Sequence, residues 1–265
     1  MVWDERQAAM LAEMGIRVWQ SPAAPAPAPA VATPVADADT PRAPSGVAEP
    51  APATPRAVAA ELGARPGGVE AMDWADLRTA VAGCTACGLC RSRTNTVFGV
   101  GYTQAHWMVV GEAPGEQEDR QGEPFVGKAG QLLDNMLRAL GLTRQADGEG
   151  LQPAQQVYIA NVLKCRPPMN RNPQPEEVAQ CEPYLARQVA LLQPKLILAM
   201  GRFAVQSLLQ TGEPIGRLRG RVHQYRGVPA IVTYHPAYLL RNPADKAKAW
   251  DDLCLAREVM RNASS

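Results

Sequence analysis

His106-Trp107-Met108-Val109-Val110 runs directly into Gly111-Glu112-Ala113-Pro114-Gly115. The first stretch is a continuous apolar run of strand length. The second holds two glycines and a proline, which end the strand in a loop. A helix is expected next, over Lys128 to Leu140. The same order then repeats. Val157 to Val162 is a second expected strand, with a Pro-rich loop and a helix from Pro175 to Leu192. Leu196 to Met200 is a third strand, followed at once by a helix through Leu209. Val228 to Thr233 is a fourth, and a last helix spans roughly Ala244 to Met260. Unbroken apolar strands separated by helices imply an α/β fold of three layers, α/β/α, around a central, mostly parallel, four-stranded sheet.

In such a sheet, ligands bind beyond the carboxyl ends of the strands. Three polar constellations fall there: Gly111 to Gly115 after the first strand, Asn161 in the second, and His235-Pro236 after the fourth. They are far apart in sequence, yet the topology can gather them into one crevice.

Outward from this domain, expected over residues 69–265, the chain changes character. Residues 21–68 are largely Ala and Pro, with no aromatic residue and no apolar periodicity. Such a segment buries too little surface to offset its ordering entropy, so a disordered linker is expected. Residues 1–20 can form one short helix, with Ala8, Leu11, Met14, Ile16 and Val18 partly on one side. It either docks weakly or serves as a tethered motif for a protein partner. The formal net charge of the 265 residues is +1, so charge over the whole chain gives no case for nucleic acid. No run is long enough for a membrane span, and Asp4 and Glu5 stand where a signal peptide would carry bases. A cytoplasmic chain without a membrane partner is expected, acting as a monomer.

Six cysteines in a cytoplasmic chain are a poor disulfide framework. Cys84-x-x-Cys87 precedes the first strand, Cys165 follows the second, and Cys181 lies in the next helix. Four thiolates can serve one centre, and the spacing allows tetrahedral zinc or a [4Fe–4S] cluster alike. Ordinary buried thiols fit the spacing too. Cys90 competes as a ligand, and Cys254, among Leu253, Leu255 and Ala256, reads as packing.

Gly111-Glu112-Ala113-Pro114-Gly115-Glu116-Gln117-Glu118-Asp119 resembles the first motif of the family 4 uracil-DNA glycosylases. Gly122-Glu123-Pro124-Phe125-Val126-Gly127-Lys128-Ala129-Gly130 continues the likeness. Tyr158 to Pro168, with Asn161 and Cys165 inside it, is similar to the family's second segment. His235-Pro236-Ala237-Tyr238-Leu239-Leu240-Arg241 is similar to its closing motif. The resemblance runs from about Cys84 to the last helix. It implies a uracil-DNA glycosylase fold, DNA containing uracil as substrate, and a structural [4Fe–4S] cluster on Cys84, Cys87, Cys165 and Cys181. A related group, trapped covalently on DNA, carries a basic insertion with its own histidine before the closing motif. Ile215 to His223 shows no such insertion, which favours a turning-over enzyme.

The resemblance also implies roles. A stacked base must be flipped into a pocket before its bond is reached. Phe125 offers a flat face for uracil, where core packing is the plainer alternative. Asn161 can pair with O4 and N3–H and mismatch cytosine. His235 is expected to donate to O2 of the departing base, Glu112 to stabilise a cationic sugar or orient water, and Glu118 to share that role or exclude the thymine methyl. Backbone groups of Gly111 and Ala113 should line the pocket. Leu239 and Leu240 are read either as wedges into the DNA or as buried residues. Arg241 and the Arg217, Arg219, Arg221 group are candidates for phosphate contact, although such a group is also an ordinary solvated loop. Two other classes compete: a non-catalytic iron–sulfur DNA-binding module of a repair or polymerase complex, and a zinc-stabilised small-molecule hydrolase. The loop after the first strand carries neither a P-loop lysine nor a dinucleotide fingerprint, which weighs against nucleotide binding.

Overall fold

The computed structural model describes residues 63–145 and 151–263, together with Met10 and Glu13. The expected N-terminal helix and most of the expected linker lie outside the described residues. Of that segment, Met10 packs against the larger core cluster.

The domain opens with helix α1 (Trp74–Ala82). Asp73 caps it, its Oδ1 accepting from the amides of Ala75 and Asp76, both at 2.9 Å. The sheet consists of β1 (Val100–Gly101), β2 (Trp107–Gly111), β3 (Val157–Asn161), β4 (Leu196–Met200), β5 (Val222–Tyr225) and β6 (Val228–Thr233). Helices α2 (Glu116–Gln121) and α3 (Lys128–Ala139) follow β2, and α4 (Pro175–Leu192) follows β3. Then come α5 (Arg202–Leu209) and α6 (Ile215–Leu218) after β4, and α7 (Pro236–Arg241) and α8 (Lys246–Asn262) after β6.

The strand order is β1-β3-β2-β4-β6-β5. The four expected strands form its parallel centre, in the register Val109 opposite Ile159 and Leu198, and Leu198 opposite Ile231. The four-stranded expectation is corrected to six, because an antiparallel strand flanks each side. Both additions carry weak sequence signals. β1 has two residues, and β5 alternates in exposure instead of forming an apolar run. A tight turn at Arg226-Gly227 joins β5 to β6, with φ of 49° and 82°. Two successive left-handed residues give the twist a two-residue hairpin requires, here without the usual Asn-Gly pair.

Strand alternation explains the layers. Trp107, Val109, Ile159, Leu198 and Ile231 face one side and pack with Leu133 and Leu137 of α3 and Leu253 of α8. Met108, Val110, Ala160, Ile197 and Val232 face the other and pack with Leu185 and Val189 of α4 and Val205 of α5. A third cluster joins Leu77 and Val81 of α1 to Phe98 and Tyr184, which fixes the chain immediately before Cys84.

Candidate active site

After β2 the chain crosses to β3 on one side and then to β4 on the other. This reversal leaves a crevice at the carboxyl ends of β2 and β4, the place where open α/β sheets bind ligands. A cavity of about 760 Å³ lies there. Its walls come from Glu112 to Gly115 after β2, Asn161 at the end of β3, Gly201 to Phe203 after β4, and Tyr234-His235 after β6. The three constellations expected at strand ends therefore meet. The fourth wall, Gly201-Arg202-Phe203, was missed, although its place directly after an apolar strand carried the same signal.

Phe125 and Asn161 meet over Gly111, which lies beneath the cavity lining. A Cβ at Gly111 would stand 2.4 Å from Asn161 Oδ1 and 2.6 Å from Phe125 Cζ. Only a hydrogen lets ring and amide close over the strand. Phe125 itself has φ of 55°, in the left-handed region that costs a side chain of its kind about 1 kcal/mol or more. Its neighbours fix it there. Arg144 donates from Nη1 to the carbonyls of Pro124 (3.0 Å) and Phe125 (3.1 Å), and from Nε to Asp134 (2.7 Å). Glu118 accepts from the amide of Val126 through Oε1 and from that of Gly115 through Oε2, both at 3.1 Å. Glu118 lines the cavity with both oxygens engaged by backbone, so it shapes the walls. Arg144 had no local sequence signal, since the carbonyls it holds at Pro124 and Phe125 lie about twenty residues upstream.

His235 stacks on Phe125, with ring centroids 5.2 Å apart and planes 24° apart. Its Nδ1 accepts from the amide of Ala237 at 3.1 Å. An accepting Nδ1 leaves the proton of a neutral imidazole on Nε2. Burial depresses the His235 pKa to about 4; the Glu118 carboxylate opposes the shift and Arg241 adds to it. His235 is therefore a neutral donor near neutral pH. Glu112 behaves oppositely, because burial raises its pKa to about 7 and Arg202 only partly offsets this.

The DNA-contact expectations divide. Leu239 is 0 % exposed and packed into the main core, which corrects its reading as a wedge; Leu240 is 42 % exposed. Both lie on α7, and a short helix cannot present adjacent residues to the same side. Arg241 lines the cavity mouth. Arg219 pairs internally with the buried Asp252 at 3.0 Å, so it leaves the phosphate-contact group. Arg221 stands 3.9 Å from Glu213 on the surface.

Cys84 follows α1, and Cys87, Cys165 and Cys181 are buried together with Leu89 and Leu163. Burial raises the thiol pKa of Cys87, of Cys165 to about 11 and of Cys181 to about 12. Arg93 spans the group, donating from Nη1 to Cys165 Sγ at 3.1 Å and to the carbonyl of Cys84 at 2.8 Å. Lys164, 1 % exposed, donates from Nζ to the carbonyl of Asn161 (2.8 Å) and to Gln188 Oε1 (2.7 Å). Both partners are neutral. Burial draws the Lys164 pKa down to about 7, and negative charge on Cys181 and Cys165, such as thiolates around an iron–sulfur cluster carry, acts against that shift. The residues present thus fit such a group. Among the described residues, no three His, Cys, Asp or Glu side chains close on one metal-ion position. Cys254 packs against the main core, as expected.

The family model described as the uracil DNA glycosylase superfamily matches residues 98–254. The chain is 43 % identical over 183 residues to the type-4 uracil-DNA glycosylase of Archaeoglobus fulgidus, covering 66 % of this chain and 86 % of that one. The corresponding protein of Sulfurisphaera tokodaii is 42 % identical over 192 residues, covering 69 % and 83 %. That of Pyrobaculum aerophilum is 41 % identical over 192 residues, covering 69 % and 93 %.

Proposed function

Because the chain belongs to the uracil-DNA glycosylase superfamily, and within it to the type-4 enzymes, we propose that it hydrolyses the N-glycosidic bond of deoxyuridine in DNA. The products are uracil and an abasic site, the first step of base excision repair. One observation carries the reading: Phe125, Asn161 and a neutral, Nε2-protonated His235 share one crevice with a single carboxylate of raised pKa, Glu112.

The flipped uracil lies against Phe125. Asn161 donates to O4 and accepts from N3–H, a pattern that cytosine reverses. As the bond between C1′ and N1 breaks, its electron pair leaves with the base and spreads to O2. His235 Nε2–H donates to that oxygen, and no proton need be transferred. The sugar turns cationic, and ionised Glu112 faces it and aligns the water that adds to C1′. The water's proton passes to Glu112 or to solvent. Ala113 lends the pocket wall its backbone, Gly111 stays beneath it under Phe125 and Asn161, and Glu118 holds its loops.

Cys84, Cys87, Cys165 and Cys181 are the proposed ligands of a [4Fe–4S] cluster, which, when bound, cross-links the segment after α1 to the β3–α4 loop and α4. Lys164 ties that region to Asn161 through the Asn161 carbonyl. Leu240 and Arg241 are the proposed DNA contacts of α7. Among the described residues, no helix is long and apolar enough to cross a membrane. A monomer, with the N-terminal segment reaching a protein partner, completes the reading.

The test is excision from a fluorescent uracil-containing oligonucleotide, revealed by alkali, with Asn161→Ala and His235→Ala beside the parent. Strand cleavage by the parent and a loss of about a hundredfold or more in each variant are expected. A folded parent that leaves the strand intact contradicts the proposal and favours a DNA-binding module.

A further inference from the structure

Three large apolar side chains stand exposed among the described residues: Met169 (92 %), Val222 (48 %) and Leu240 (42 %). Two of them flank the same cavity. Met169 lies in the β3–α4 loop between Pro167 and Asn170, both of which line it, and Leu240 lies on α7 between Tyr238 and Arg241, which line it as well. In the sheet, β3 and β6 stand on opposite sides of the β2–β4 pair. The loops that follow them therefore reach the crevice from opposite sides.

Met169 is held outward. It and Asn170 are both left-handed, with φ of 54° and 53°, a costly conformation in consecutive residues that are not glycine. The turn is pinned by Arg166 Nε donating to Asn170 Oδ1 (2.8 Å), by the Asn170 amide on the Pro167 carbonyl (3.0 Å), and by the Arg171 amide on the Pro168 carbonyl (3.1 Å). Arg171 in turn pairs with Glu177 at the start of α4 (3.0 Å). A lone exposed apolar side chain is ordinary on a protein surface; what sets Met169 apart is a pinned turn that holds it beside the cavity. Arg166 and Arg171 beside it pair with Glu116 (3.6 Å) and Glu177, but both side chains stay part-exposed, whereas Arg219 is turned onto the fully buried Asp252. This rim therefore suits a partner with negatively charged edges and an apolar interior, and stacked duplex DNA has both.

We propose that Met169 is a second wedge, entering the base stack of duplex DNA on the side of the flipped nucleotide away from Leu240. This rests on the glycosylase reading. Wedges of this kind replace stacking lost at a kinked step, so they matter for duplex and far less for single strands, where little stacking must be broken.

Single-turnover excision is measured on duplex and single-stranded oligonucleotides of one sequence, for the parent, Met169→Ala and Met169→Leu. A 2-aminopurine beside a non-hydrolysable deoxyuridine analogue reports unstacking in the same duplex. The duplex-to-single-strand rate ratio of Met169→Ala should fall about tenfold, the 2-aminopurine signal should fall with it, and Met169→Leu should restore both. A merely structural loss would lower both rates together and leave the ratio alone. An unchanged ratio and signal in Met169→Ala, with an active parent, overturns the wedge and leaves the glycosylase standing. A parent inactive on both strands overturns the glycosylase reading, and the wedge with it.

Discussion

At Glu112 and His235, burial acts on two neighbouring groups with opposite results, since it disfavours the charged form of each. It leaves His235 neutral, with a pKa near 4, and holds back ionisation of Glu112 to about 7. If ionised Glu112 faces the cationic sugar, excision rises with pH from about 6 to about 8 with a midpoint near 7, and His235 adds no inflection in that range. Glu112→Gln should flatten the profile; a parent profile already flat over that range contradicts the assigned role. Much of this site was legible in sequence, because Gly111, Glu112, Asn161 and His235 sit in or just after strand ends, while Phe125 stood out only through the family resemblance. What supports them was not. Arg144 acts on carbonyls of Pro124 and Phe125, and Lys164 reaches Gln188 on α4, so their roles depend on contacts that only folding creates.

Among the elements, α7 separates two residues that sequence could not. Leu239 turns into the core and Leu240 out. Leu239→Ala should cost ~2–5 kcal/mol in denaturant unfolding. Leu240→Ala should change stability by no more than ~0.5 kcal/mol, while slowing excision from duplex. The reverse pattern would contradict the placement of α7. The central strands were readable because burial on both faces demands unbroken apolar runs. β1 and β5 were not, since edge strands carry no such demand and pair through backbone alone. The Pro-rich loop shows the same limit: its prolines announced a loop, but not that Met169 would stand outside it.

For the whole molecule, the sheet brings its strand ends together, and the proposed cluster on the cysteine group would tie α1 to the β3–α4 loop and α4, beside the strand that ends at Asn161. With a [4Fe–4S] cluster bound, the parent should carry about four iron atoms per chain and a broad visible absorption. Cys165→Ser or Cys181→Ser should lose both and melt at lower temperature; a colourless parent with one zinc per chain contradicts the cluster. The central claim is that the crevice selects uracil and breaks its bond to the sugar. The most direct test is mass detection of free bases released from one duplex containing deoxyuridine, thymidine and deoxycytidine. The account predicts uracil alone. Release of thymine or cytosine at a comparable rate, or of no base at all, would contradict it.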